Sequence, residues 1–161
     1  MRRPAVFARF LLCQRFSRPL LQSERIALRP SAYYEASPTL DGADAFTFDI
    51  LALPQRAVAG EIALRVGENA ALFYLGHVGY HVDVPYRGRG YAAEACTLLW
   101  PFARAFGMRS LCVTTDVDNV ASIRTCERAG CVYECTVPVP TWCQKRFELP
   151  NRKKRFVIPS L

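Results

Sequence analysis

Residues 82–93 read Val-Asp-Val-Pro-Tyr-Arg-Gly-Arg-Gly-Tyr-Ala-Ala and set two glycines and two arginines between a β-branched strand and an alanine-rich helix. This composition suits a phosphate cradle. Gly88 and Gly90 open backbone conformations closed to other residues, and the first helical turn offers unpaired N–H groups at a positive dipole end. Arg87 and Arg89 add charge at the same place. A second polar cluster follows at Asp118-Asn119-Val-Ala-Ser122-Ile-Arg124-Thr-Cys126-Glu127-Arg-Ala-Gly130-Cys131. There Asn119 also suits a helix cap, and Arg124 a solvated helix face.

The elements that must hold these groups are mostly strands in the first half of the chain. Residues 25–29 alternate and stop at Pro30, and residues 31–45 carry Pro38, Gly42 and three acidic residues in a loop-like mixture. Strands are expected at 46–53, 57–66, 72–75 and 78–84, with Gly76 marking a bulge between the last two. The period then changes: Ala92, Cys96, Leu99, Trp100, Ala103 and Phe106 recur at helical spacing up to Gly107, with Pro101 expected to kink the helix. A short strand at 111–115 precedes a helix capped by Asn119 and ended by Gly130. Two closing strands, 131–137 and 144–149, are joined by a turn at 138–142.

Strand, glycine turn, helix, strand, helix, strand is an α/β half joined to an antiparallel meander. The crossover rule sets strands 78–84 and 110–115 parallel. With 161 residues and 51% hydrophobic content the chain suits one domain. It divides into a basic extension at 1–22, a catalytic-type domain at 23–150 and a basic tail at 151–161. Residues 1–22, with Arg2, Arg3, Arg9, Arg15 and Arg18, also resemble a transit peptide, but serine is scarce and Pro4 and Pro19 interrupt a helix. The run Arg152-Lys153-Lys154-Arg155 reads as a solvated tail.

The net charge of +7 favours anionic ligands. Nucleic acid is disfavoured, since the basic residues gather at the chain ends without interleaved aromatics. No apolar run has the roughly 20 residues of a membrane span. Seven cysteines without a Cys-x-x-Cys pair argue against a disulfide framework and a metal site, and suit a reducing cytoplasm.

Gly88-Arg-Gly90-Tyr-Ala-Ala93 satisfies a Gly-x-Gly-x-x-Ala dinucleotide fingerprint, with Asp116 at the end of the next strand. Against that reading, Pro85-Tyr86-Arg87 separates strand from glycine, and the turn lies too late in the chain for further βαβ units. A better match is Arg87-Gly-Arg-Gly-Tyr-Ala92, which resembles the Arg/Gln-x-x-Gly-x-Gly/Ala cradle of the GNAT superfamily of acetyl-coenzyme A dependent N-acetyltransferases. The Asn119 to Gly130 segment resembles the branch that includes ribosomal-protein N-terminal acetyltransferases, where Asn-x-x-Ser-x-Arg and a later Glu-x-x-Gly-aromatic recur together; this chain has Cys131 in the aromatic position. The resemblance covers residues 23–149 and is strongest over 76–131.

The resemblance implies a single α/β (α+β) domain. Its mixed, mostly antiparallel sheet of about six to seven strands carries flanking helices and a V-shaped splay between strands 78–84 and 110–115. Acetyl-coenzyme A is the implied cofactor and an amine the acceptor; a homodimer is compatible with this. The pyrophosphate would lie on the backbone of Arg87, Gly88, Arg89, Gly90, Tyr91 and Ala92. Val82 and Val84 would offer main-chain hydrogen bonds to the pantetheine arm. Asn119 and Ser122 would contact the arm or the acetyl group, and Arg124 a phosphate. Acyl transfer needs a base for the amine, for which Glu61 and His81 are candidates, acting directly or through water. It also needs a proton for the departing thiolate. Many relatives place a Tyr there; this chain has Cys126, whose thiol is the remaining candidate. Residues 30–45 are too short for the two helices that usually wall the acceptor side. The alternatives are an acyl-coenzyme A binder with a degenerate site and, further off, a dinucleotide-binding protein.

Overall fold

The computed structural model describes residues 3–161; Arg2 lies outside them. Phe46, Phe48 and Ile50 alternate along strand β3 (Ala43–Ala52) and are fully buried, which makes one face of this strand the centre of the core. It pairs on one side with β2 (Ile26–Ser37) and on the other with β4 (Ala57–Val66). A short β1 (Leu21–Gln22) adds to β2, and β5 (Val78–Val82) adds to β4, so the first sheet has the order β1-β2-β3-β4-β5. A second sheet holds β6 (Leu111–Asp116), β7 (Val132–Pro138) and β8 (Arg152–Ile158) in the order β6-β8-β7. Every ladder is antiparallel. The expected mixed, mostly antiparallel sheet with helices on it is thus present as two sheets that diverge.

The N-terminal segment is not an extension. Residues Ala5–Arg15 form α1, entered from Pro4 as its N-cap, where the fixed φ of proline suits the approach to a first turn. Phe7 and Phe10 of α1 are buried, and Phe10 meets Phe46 and Phe48 edge-on at ring separations of 5.1 and 5.2 Å. The same cluster takes in Phe102 from α3 (Tyr91–Ala105), so α1 and α3 cover the first sheet together. The sequence reading misses this because apolar and basic residues mix along 5–15 with a weak stripe. The aromatic pair is anchored only by partners distant in sequence.

The C-terminal basic run is likewise no tail. It is β8, the central strand of the second sheet, with Lys153 and Arg155 buried. Lys153 Nζ donates to Asp116 Oδ1 at 2.8 Å, Arg155 Nε donates to Glu134 Oε2 at 2.8 Å, and the Arg155 guanidinium stacks 3.8 Å over the Phe73 ring. Pairing of this kind is what allows a charge to enter a protein interior.

Other boundaries move for local reasons. β2 runs through Pro30 to Ser37 by bulging at Pro30/Ala32, where the missing N–H is tolerated. Residues Ala70–Leu75 form a helix, α2, rather than a strand, because the Asn69 side chain caps it by accepting from Leu72 N–H. β5 ends at Val82 rather than 84, and Val84–Tyr86 form a 3-10 turn. α3 passes through Pro101 as one helix. After α4 (Val120–Arg128), the expected closing strand at 144–149 is instead α5 (Thr141–Phe147).

The two sheets touch at a single seam. The N–H of His77 donates to Cys112 O at 2.7 Å, and the N–H of Cys112 donates to His77 Nδ1 at 2.9 Å. Gly76 makes this approach possible: its φ is +75°, and a Cβ there would lie 2.9 Å from Thr114 N. Beyond the seam no ladder joins β5 to β6 among the described residues, so the sheets splay apart in a V.

Candidate functional site

The open end of the V holds a cavity of about 600 Å³, within the range of small-molecule sites. Its floor is β5 with Tyr80, His81 and Val82; one wall is the turn into α3, with Arg87, Gly88, Gly90, Tyr91 and Ala92. The other wall is the start of α4, with Asn119, Ser122, Arg124, Thr125 and Arg128. Ten of the fourteen residues singled out in the sequence, His81, Val82, Arg87, Gly88, Gly90, Tyr91, Ala92, Asn119, Ser122 and Arg124, therefore meet around one space.

The turn is built as its glycines require. Gly88 and Gly90 both take left-handed conformations, at φ +76° and +78°, and Gly90 is the N-cap of α3. Neither would meet protein atoms within 3.4 Å if it carried a Cβ, so the space beside them is open to a ligand. The turn is fastened from outside the motif: Arg25 Nη1 donates to Arg89 O at 3.0 Å, pairs with Glu94 in the first turn of α3, and lies 5.6 Å from the Tyr91 ring. Ser23 also donates to Glu94. Arg25 and Glu94 are functional neighbours that the sequence reading misses. They are separated by more than sixty residues, and no local pattern marks them.

Four expected site residues lie off the cavity. Val84 is in the 3-10 turn, mostly exposed, with its carbonyl accepting from Arg87 N–H at 3.3 Å. It therefore cannot serve as a ladder residue of β5, which corrects the expectation for it. Arg89 turns back, donating to Pro85 O at 3.3 Å and stacking on Tyr86. Glu61 is exposed on β4 directly across from His81 in the register. Cys126 is buried at 1% exposure behind the cavity wall.

Hydrogen bonds commit several of the lining groups. Arg87 Nε donates to Val82 O at 2.8 Å, which occupies that carbonyl. Asn119 Oδ1 accepts from Ser122 N–H at 3.0 Å, so the residue is a helix cap that leaves its amide N–H₂ for the cavity. His81 Nε2 lies 3.2 Å from Asp83 Oδ1 in an exposed pair. Tyr80, which the sequence reading does not single out, lies with its hydroxyl 2.7 Å from Ser122 Oγ. Burial pushes its pKa up. Behind it, hydrogen bonds from Cys131 and Tyr80 hold the Cys126 thiol below its ordinary value against the burial that raises it. Burial pushes Cys112 up to about 12.

The cavity is lined by three arginines and no carboxylate, and a helix N-terminus opens onto it. This lining fits an elongated ligand with phosphate at one end. Among the described residues no group of His, Cys, Asp and Glu is placed to hold a metal ion, and no helix is long and apolar enough to cross a membrane.

A family model described as an acetyltransferase (GNAT) domain matches residues 7–132. Among solved structures, a candidate ribosomal-protein-serine acetyltransferase from Vibrio cholerae superposes with a TM-score of 0.60 at 21% identity, over 86% of this chain and 95% of that one. A GNAT-family acetyltransferase from Bacillus anthracis gives 0.60 at 15% identity, over 86% and 96%. A ribosomal L7/L12 alpha-N-protein acetyltransferase in complex with coenzyme A gives 0.54 at 20% identity, over 70% and 60%. These likenesses are of fold. No curated protein matches the sequence significantly.

Proposed function

Since this chain belongs to the GNAT acetyltransferase family, we propose that it transfers an acetyl group from acetyl-coenzyme A to a primary amine, on a protein N-terminus or a small molecule, within a ternary complex. The observation that carries this reading is the convergence of the Arg87–Ala92 turn and the Asn119–Arg124 helix start on one cavity lined by three arginines and no carboxylate. The cosubstrate supplies a thioester carbonyl and a thiol leaving group.

In this reading the N–H groups of Gly88, Gly90, Tyr91 and Ala92 take the pyrophosphate at the start of α3, with Arg87 contributing charge. Arg124, backed by Arg128, faces a further phosphate. Asn119 and Ser122 face the arm from α4, and Val82 faces it from β5. Arg89 supports the turn through its backbone rather than its side chain. The amine is deprotonated on the β5 side, where His81 and Glu61 are cross-strand neighbours and Asp83 pairs with His81. His81 is the base of choice because it lines the cavity, and Glu61 acts through it or through water. All seven cysteines are free, which suits a reducing cytoplasm.

Calorimetric titration with acetyl-coenzyme A, NAD and a short RNA tests the cavity's ligand; binding to NAD or RNA but not to the first defeats the reading. A thiol-release assay over protein N-terminal peptides and polyamines then identifies the acceptor. Binding without release on any amine makes the protein a binder with a degenerate site.

A further inference from the structure

The helix position at which related enzymes are expected to place a tyrosine hydroxyl holds Cys126, which is sealed from the cavity. A proton for the leaving thiolate must come from elsewhere. Of the cavity's lining residues, only Tyr80, Tyr86, Tyr91, Ser122 and Thr125 carry hydroxyls. Tyr86 and Tyr91 belong to the phosphate turn, and Thr125 donates its hydroxyl to Ala121 O at 3.0 Å. Tyr80 and Ser122 remain, joined at 2.7 Å on the two facing sides of the V.

The geometry points to Tyr80 as the catalytic acid that protonates the departing thiolate, reaching from β5 the place that Cys126 leaves empty on α4; this rests on the acetyltransferase reading above. Residues 122 and 126 are one helical turn apart and face the same way. A tyrosine at 126 would bring its hydroxyl to the Ser122 side chain, where the Tyr80 hydroxyl now lies against both Ser122 and Cys126. The short thiol of Cys126 is what gives the Tyr80 ring room. The phenol O–H also lies 3.3 Å from Ser122 O and against Cys126. With Ser122 Oγ–H donating to Tyr80 Oη, rotation of the phenol O–H away from these acceptors points its proton into the cavity, and the same Ser122 bond supports the phenolate after transfer. Burial, which raises the Tyr80 pKa, keeps the phenol protonated in the resting enzyme.

The step balances without another reagent. The amine nitrogen bonds to the acetyl carbon, the carbon–sulfur bond breaks, and Tyr80 gives its proton to sulfur. The amine's proton leaves through His81, and Tyr80 is reprotonated from solvent through the open cavity.

The test compares wild type with Tyr80→Phe in steady-state kinetics and in calorimetric binding of coenzyme A and desulfo-coenzyme A near pH 9. The expected result is a kcat lower by about 10²-fold with KM for acetyl-coenzyme A little changed, the size of a lost general acid. Coenzyme A binding should weaken about tenfold, as for a lost hydrogen bond to a charged sulfur, while desulfo-coenzyme A binding holds. A kcat within twofold of wild type, or equal weakening of both ligands, overturns the assignment. So does a loss in Cys126→Ala as large as that in Tyr80→Phe. A wild type that binds no coenzyme A fails at the earlier reading, and the role of Tyr80 falls with it.

Discussion

Replacing His77 by leucine should show what holds the V closed at its base. His77 is 6% exposed, and its Nδ1 accepts from the buried Cys112 N–H, so its proton sits on Nε2, facing Gly67 O at 3.1 Å and Glu68 at 3.2 Å. Leucine fills similar space but leaves the Cys112 N–H without a partner, at a cost of about 1–3 kcal/mol. The Gly67 carbonyl is exposed and turns to water. At about 2–4 °C per kcal/mol for a domain of this size, Tm should fall by roughly 2–12 °C at pH 8.

The same contact fixes a pH dependence. Burial lowers the His77 pKa from its ordinary 6.5, against the opposing pull of Glu68 and with a smaller push from Arg155. The unfolded chain therefore binds this proton before the folded one does. Stability from His77 is complete above about pH 6.5 and is lost as pH falls through and below it, by up to about 1.4 kcal/mol per pH unit. Urea unfolding of wild type and His77→Leu at pH 8 and 5.5 measures the gap between them, which should narrow on acidification. A gap that stays constant or widens, or a variant as stable as wild type at pH 8, refutes the reasoning.

Phe10→Ala should cost about 3–5 kcal/mol, since its ring is fully buried among Phe46, Phe48 and Phe102; chemical unfolding measures it, and a near-neutral result would return the first residues to the status of an appendage. Gly76→Ala should destabilise by about 1–3 kcal/mol through the left-handed backbone alone, with more from the 2.9 Å contact to Thr114 N, and it should weaken acetyl-coenzyme A binding because it pries open the seam; thermal melts and calorimetry report both. Arg25→Ala should raise the Kd for acetyl-coenzyme A several-fold while moving Tm little, because the guanidinium is 54% exposed yet holds the Arg89 carbonyl. An unchanged Kd would show that the turn needs no fastening from Arg25.

What could be read from the sequence was local. Asn119 as a cap, the left-handed turn at Gly88 and Gly90, and β4 at 57–66 all depend on residues a few positions apart, and the chain realises each. Most misses have one physical cause, partners distant in the chain that outweighed local pattern; α2 is the exception, where the cap is local. Asn69 turned an apolar run into α2 with a single cap, and Asp116 and Glu134 drew Lys153 and Arg155 into a central strand. Tyr80 carries no mark in the sequence beyond its place in the strand expected at 78–84. Only the fold sets it on the cavity, with its hydroxyl beside Ser122.

That divergence also changes what the net charge means. Three of the terminal cations are paired: Arg3 with Glu35 at the surface, and Lys153 with Asp116 and Arg155 with Glu134 in the second sheet. Each such pair is nearly neutral at a distance, so these three cations add little to the field that a ligand meets. Arg87, Arg124 and Arg128 are few by comparison, but no carboxylate lines the cavity with them and low-dielectric walls focus their potential. Attraction for a polyphosphate therefore comes from where the V opens, and it depends on His77 and Gly76 at the opposite end keeping the two sheets at a fixed spread.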